Sequence, residues 1–158
     1  MRYVIQHKKS FYITFLILLF SVSLYFFILS FGAYKYLSEE FFPEDIKVAL
    51  LGNPEEFLEG KTVLQIVETI HIEIFLILVV LLTVFSVNLR VLMKESIRYL
   101  LIGIGFISGI VYSLSPFVVK FISPIFSFVQ SISLSLFLLT TLFVNSLNIY
   151  AFLRGKVR

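Results

Sequence analysis

Long runs of apolar residues dominate the pattern along this chain. An α-helix needs about 20 apolar residues to cross roughly 30 Å of hydrocarbon. Runs of about that length occupy residues 11–33, 70–89, 99–116 and 124–152. The pattern therefore predicts an all-α membrane protein, a bundle of four transmembrane helices that forms a single domain over residues 1–158.

The composition supports the bilayer as the solvent of this chain. Apolar residues make up 59% and charged residues 15% of its 158 residues, whereas soluble domains are typically about half apolar and a quarter charged. A soluble domain of this size could not bury so much apolar surface. The chain has no cysteine, which excludes disulfides and thiolate metal sites.

The first apolar run has two possible interpretations, a membrane anchor or a signal peptide, because a signal peptide also has a basic start followed by an apolar stretch. The run over 11–33 carries no charge and is longer than the apolar region of a signal peptide. No clear cleavage site of small residues precedes Tyr34. We therefore interpret this run as an uncleaved membrane anchor.

The distribution of charge predicts the orientation. The basic groups at the two ends and between the second and third runs share their side with one acid, Glu95, whereas residues 32–73 carry nine acids and three bases. The positive-inside rule places the basic side in the cytoplasm. We expect both termini inside, an extracytoplasmic segment over 34–69, and a bacterial inner membrane. The basic residues form no continuous stripe, so no nucleic-acid partner is expected.

The segment over 34–69 has its own helix signals. Residues 43–51 form a short helical pattern before a glycine, and residues 53–60 form a second. Thr62 and Gln65 have capping-box spacing and are expected to start the second spanning helix. The apolar residues of this helical cap either cover the outer end of the bundle or the headgroups, or form a docking surface for a partner.

Polar residues inside the spans should face protein rather than lipid. At about 100° per residue, such residues share one face of the first helix and one broad face of the fourth. The first face holds Ser10, Thr14, Ser21, Tyr25 and Gly32, and the second holds Ser127, Gln130, Ser131, Ser135, Thr141, Asn145 and Asn148. Contacts between helices explain both faces. The alternative is a hydrophilic path through the fourth helix, which the lack of ionisable residues at mid-span disfavours.

Gly105 and Gly109 form a GxxxG pattern in the third run. Small residues at this spacing let two helices approach closely in a membrane. We expect this contact to lie within the bundle, and the alternative is a contact between two copies of the chain.

Three ionisable residues at or just before the start of the second run are candidates for chemistry. His71 and Glu68 lie one turn apart and could bind a cofactor such as haem or a quinone; the alternative is a simple pair at the membrane interface. A single Glu-x-x-His is incomplete as a carboxylate-bridged metal site, so no metal is predicted. His7 belongs to the other membrane side, which rules out a haem held by the two histidines. Glu73 either snorkels outward or pairs with a base such as Lys35.

The sequence contains no phosphate-binding loop, zinc-protease motif or serine-hydrolase motif. We therefore expect a protein without a catalytic site of its own and without a bound cofactor. The favoured function is an accessory or structural subunit that binds a membrane partner or itself. The alternatives are an electron-transfer protein that uses His71 and Glu68, and a small transporter or channel.

Overall fold

The computed structural model describes residues 11–157, and this part of the chain is almost entirely helical. Its helices and strands are α1 Phe11–Leu37, α2 Pro43–Leu51, β1 Gly52–Asn53, a 3₁₀ turn Pro54–Glu56, β2 Leu58–Glu59, α3 Val63–Asn88, α4 Glu95–Phe121 and α5 Phe126–Leu153. Within the described residues, four helices (α1, α3, α4 and α5) are long and apolar enough to cross a membrane. The predicted all-α bundle of four spanning helices is confirmed.

The spanning helices extend beyond the apolar runs, because helical hydrogen bonding continues into the polar residues at their ends. The start of α3 shows this best. Thr62 Oγ1 accepts a hydrogen bond from the Gln65 N–H, and Gln65 Oε1 accepts one of 2.8 Å from the Thr62 N–H. The predicted capping box is thus confirmed, and α3 begins about two turns before its apolar run.

The start of α5 differs from the prediction by two residues. Ser123 and Pro124 precede the helix, which begins at Phe126. The Phe126 and Ser127 N–H groups donate to the carbonyl groups three residues back, at 3.2 and 3.0 Å. These tighter bonds form a turn rather than α-helix, so Pro124 belongs to the connection from α4.

The predicted helix over 53–60 is wrong. Asn53 does accept a hydrogen bond from the Glu55 N–H, but only one 3₁₀ turn follows. Phe57 then takes a left-handed backbone conformation with φ of 55°, and the chain folds back so that β1 pairs antiparallel with β2. A Cβ atom at Gly60 would lie 2.4 Å from the carbonyl carbon of Leu51. The glycine therefore permits close passage beside α2 and does not end a helix.

Helix α5 is the centre of the bundle. It packs against α1, α3 and α4, and α1 is peripheral because it contacts mainly α5 and barely touches α3. The core between these helices contains Ile28, Val80, Leu81, Val84, Tyr112, Leu134 and Phe137. The outward faces are apolar, as lipid requires.

Residues 38–62, which we call the cap, cover one end of the bundle. Ile46 and Leu50 of α2 are buried against Ile66, Ile70 and Val119. In addition, Lys120 Nζ donates a 2.8 Å hydrogen bond to the Leu50 carbonyl oxygen. The cap therefore packs on the bundle, as one of the two interpretations of its apolar residues proposed.

Candidate functional site

Four charged side chains meet between the cap and the bundle, and we call them the ion-pair cluster: Lys35, Glu40, Lys61 and Glu73. Lys35 Nζ lies 2.5 Å from Glu40 Oε2 and 2.5 Å from Glu73 Oε1. Lys61 Nζ contacts the other oxygen of Glu40. Lys35 is only 2% exposed and Glu73 only 7%. The cluster thus joins α1, the cap and α3 with charges that are largely withdrawn from solvent.

Helical spacing places Lys35 and Glu73 inside. Lys35 follows Ser21 and Ile28 at intervals of seven residues, and all three are buried; seven residues are close to two turns, so they share one face. Glu73 lies on the buried face of α3, between Ile70 and Ile77. Each charge therefore sits on the face that its helix turns towards the protein.

A helix-ending motif brings Glu40 back to Lys35. Glu39 has a left-handed backbone with φ of 54°. The Glu40 N–H donates to the Lys35 carbonyl oxygen at 3.0 Å, and the Glu39 N–H donates to that of Tyr36 at 3.4 Å. This is the hydrogen-bond pattern of a Schellman motif, in which the left-handed position is usually glycine. The reversal puts the Glu40 carboxylate beside the Lys35 ammonium.

The electrostatics of the cluster favour the ionised state of Glu40. Burial acts to raise the pKa of the Glu40 carboxyl group, but the charges and hydrogen bonds of Lys35 and Lys61 outweigh this and hold that pKa below its ordinary value. Two positive and two negative charges then balance one another. This balance matters because an unpaired buried charge is strongly destabilising.

The space around the cluster is small. A cavity of about 10 Å³ lies beside it and is lined in part by Lys35, Glu73, Pro116 and Gln130. That volume corresponds to about one water molecule. The ring centroid of the buried Tyr112 lies 6.0 Å from Lys35 Nζ. This arrangement suits a contact between elements and not the binding of a substrate among the four charges.

The sequence anticipated part of this cluster. Pairing of Glu73 with Lys35 was one of its two interpretations, and this one is confirmed. Glu40 and Lys61 were not predicted, since they lie in connecting segments and their contact spans 21 residues of chain. The sequence signal that could have indicated Glu40 and Lys61 is that each lies close to the end of an apolar helix.

The structure places His71 and Glu68 away from the cluster. Both are exposed on α3, whereas Ile70 and Glu73 face the interior. No group of three or more His, Asp or Glu side chains within residues 11–157 is arranged to hold a metal ion. His7 lies outside the described residues. A protein without a bound cofactor stays a prediction, and cofactor binding at His71 and Glu68 stays its alternative.

The two glycines of the third run lie against α3. A Cβ atom at Gly109 would be 2.7 Å from Ile77 Cγ2, and one at Gly105 would be 2.9 Å from Phe85 Cε2. A side chain at either position would require the neighbouring α3 side chain to move. At these two positions the close approach of helices lies within one molecule.

The polar face of α5 also lies at contacts between helices. Ser127, Ser131 and Asn145 are buried, and Ser135 is half-buried. Asn145 Nδ2 donates a 2.8 Å hydrogen bond to the Ser21 carbonyl oxygen of α1. Asn148 makes equivalent bonds of 2.9 Å with α3, donating to the Val84 carbonyl oxygen and accepting from the Asn88 amide. The sequence also predicted a polar face on the first helix. One member of that face, Ser10, lies outside the described residues.

The architecture and the lipid-facing surfaces define this chain as a multi-pass integral membrane protein with an α-helical bundle. More particularly, it belongs to the Aq_1264_TM family, whose model describes a transmembrane helical domain and matches residues 40–158. The match includes the cap from residue 40 onward, α3, α4 and α5. A comparison with curated proteins found no match, and a comparison with solved structures found none either.

Proposed function

We propose that this protein is an accessory or structural membrane subunit, without a catalytic site of its own, that uses its cap to bind a partner protein or a second copy of itself. The observation that carries this proposal is the tip of the β1–β2 hairpin. Phe57 at this tip is 94% exposed, and the neighbouring Leu58 is exposed as well. Aromatic residues presented in this way are common anchors at protein interfaces.

The backbone at the tip supports a role for this side chain. A left-handed conformation is unfavourable for a bulky residue such as Phe57, and such conformations persist where the surrounding structure holds them. Here the Phe57 N–H donates to the Pro54 carbonyl oxygen at 3.4 Å. The hairpin therefore directs a large apolar side chain away from the protein.

The charge around the tip indicates the chemistry of its partner. Glu55 and Glu59 flank Phe57 and are both exposed. Acidic side chains disfavour an approach to anionic headgroups. An apolar pocket with a basic rim on another protein matches this surface better than an anionic lipid does.

The rest of the cap supports the tip as a rigid platform. The packing of α2, the Lys120 hydrogen bond and the ion-pair cluster hold the cap on the bundle. A surface that is already ordered loses less conformational entropy on binding. This is the role that the buried charges have in our proposal: they fix the position of the docking surface.

Purification in mild detergent from native membranes tests this function. We expect a partner protein, or a second copy with a different tag, to co-purify at fixed stoichiometry with the wild-type protein. The double variant Phe57→Ser and Leu58→Ser should lose it. Leu89→Ser is the control, because Leu89 is an apolar residue about as exposed as Leu58 and lies just after the far end of α3. A monomer that co-purifies with nothing, or a double variant that keeps the partner, would contradict the proposal.

We also propose that the cap faces outward from the cytoplasm of a bacterial cell, with both termini inside. The basic residues between α3 and α4 and the acids of the cap support this orientation. A membrane-impermeant thiol reagent can test it on intact cells, since the chain has no native cysteine. Glu44→Cys should react at once and Leu92→Cys only after permeabilisation, both sites being exposed. The reverse order would refute this orientation.

A further inference from the structure

We infer that the cleft between α1 and α3 binds a phospholipid whose head carries a primary ammonium group, with that group against Glu73. The cleft has a volume of about 370 Å³. It opens on the lipid-facing surface of the bundle, beside the ion-pair cluster. It is a separate feature from the hairpin tip and does not depend on the proposed partner.

The cleft arises from the way α1 packs. This helix contacts mainly α5 and barely touches α3, apart from the ion pair of Lys35 with Glu73 near its end. The walls between the two helices are apolar and include Phe27, Phe31 and Leu76. The hydrocarbon of a bilayer contains no water to fill an apolar opening on a lipid-facing surface. Lipid hydrocarbon is therefore what fills it.

The end of the cleft near the cap has a different character. Ser30, Tyr34, Thr69 and Glu73 line it, so this end carries three hydroxyl groups and one carboxylate. The Thr69 hydroxyl already donates to the Gln65 carbonyl oxygen at 2.8 Å. The lone pairs of this hydroxyl oxygen can therefore accept hydrogen bonds from a ligand. The cleft thus has the form of an amphiphile, apolar along its walls and polar at one end.

The polar end selects a head that donates hydrogen bonds. One oxygen of the Glu73 carboxylate is paired with Lys35, and the buried Tyr112 also interacts with this carboxylate. A carboxylate has about four lone-pair sites, so acceptor sites remain. The four charges of the ion-pair cluster balance, but Glu73 is the member of the cluster that lines the cleft, so the cleft meets a negative group. A primary ammonium group supplies three N–H donors and a positive charge. A quaternary ammonium group has the charge without the donors.

Phosphatidylethanolamine and phosphatidylcholine with identical acyl chains therefore form a matched pair of probes. Native mass spectrometry of the full-length protein in detergent gives the affinity for each. We expect phosphatidylethanolamine to bind about fivefold more tightly, the effect of roughly one additional net hydrogen bond. Ser30→Leu fills the polar end and should abolish this preference. Ser23→Leu is the control, because Ser23 is exposed on the same face of α1 but lies outside the cleft.

Two results would overturn the inference: equal affinity of the wild-type protein for both lipids, or an unchanged preference in Ser30→Leu. The second would mean that the lipid binds elsewhere on the bundle. If Ser30→Leu does not fold, Ile72→Trp fills the same cleft from α3, where Ile72 lines it and is exposed. The Ile72→Trp variant must then lose the preference, and a retained preference would refute the site.

Discussion

At the scale of single residues, Lys35 is held by contacts on several sides. Its ammonium group is buried, and two carboxylates lie 2.5 Å from it. The ring of Tyr34 lies beside it as well, with the centroid 5.7 Å away. Removing one partner from such a group leaves charge without compensation, which costs about 3–5 kcal/mol in buried pairs. The conformation around Lys35 therefore depends on all of its partners.

The ionisation of Glu40 makes the stability of the folded protein depend on pH in the acid range. Its pKa in the folded protein lies below the ordinary 4.5, so its contribution is present above that value and is lost as the pH falls through the lower folded value. Thermal unfolding in detergent should show a melting temperature that declines below about pH 4.5. Glu40→Gln should be less stable at pH 7 by about 1–3 kcal/mol and should show a weaker decline in acid.

Glu44→Gln serves as the control for this prediction. Glu44 is exposed, and its pairing with Lys47 is loose, at 3.7 Å. The variant should keep the wild-type pH profile. A Glu40→Gln profile that is identical to that of the wild type would show that Glu40 does not cause the acid dependence.

At the scale of elements, the contact between α3 and α4 depends on where small residues fall. Gly105 and Gly109 both press against α3 side chains, but Gly103 has no atom within 4 Å of its would-be Cβ. The sequence motif predicts the spacing of the glycines. It does not predict which of them contact α3. That difference comes from the rotation of α4, which only the packed bundle fixes.

Two alanine substitutions test this contact. Gly109→Ala should cost about 1–3 kcal/mol of unfolding free energy, because the new methyl group meets the stiff, β-branched Ile77. Gly103→Ala should be neutral or stabilising by up to about 1 kcal/mol, as alanine favours helix. Reversible unfolding in mixed micelles measures both. Equal effects of the two substitutions would mean that α4 is rotated differently.

The cap shows where local sequence signals were insufficient. The helix over 43–51 was predictable because proline, first-turn acids and a terminal glycine all agree. The next segment begins with equally good helix signals, yet it forms a hairpin. The positive φ at Phe57 and the close passage of Gly60 beside Leu51 reverse the chain there. The close passage of Gly60 depends on packing against α2, which a local pattern does not contain.

At the scale of the whole molecule, the number and type of spanning helices followed from the sequence because the bilayer imposes a length on each of them. The buried faces followed largely from helical periodicity, as the buried Ser21 and Asn145 show. The ion-pair cluster followed only in part, because the pair of Lys35 with Glu73 was one of two interpretations of the sequence and the places of Glu40 and Lys61 were not predicted. It joins α1, the cap and α3 through contacts such as that between Glu40 and Lys61, and these depend on how the chain closes between helices.

The central claim is that the ion-pair cluster is a structural link which fixes α1 and the cap on the bundle. A double-mutant cycle of Lys35→Met and Glu73→Gln, followed by unfolding in mixed micelles, tests it most directly. We predict that each single variant is destabilised and that the double variant is destabilised by about 1–3 kcal/mol less than their sum. Additivity within about 0.5 kcal/mol would show that the two residues are not energetically coupled and would contradict the account.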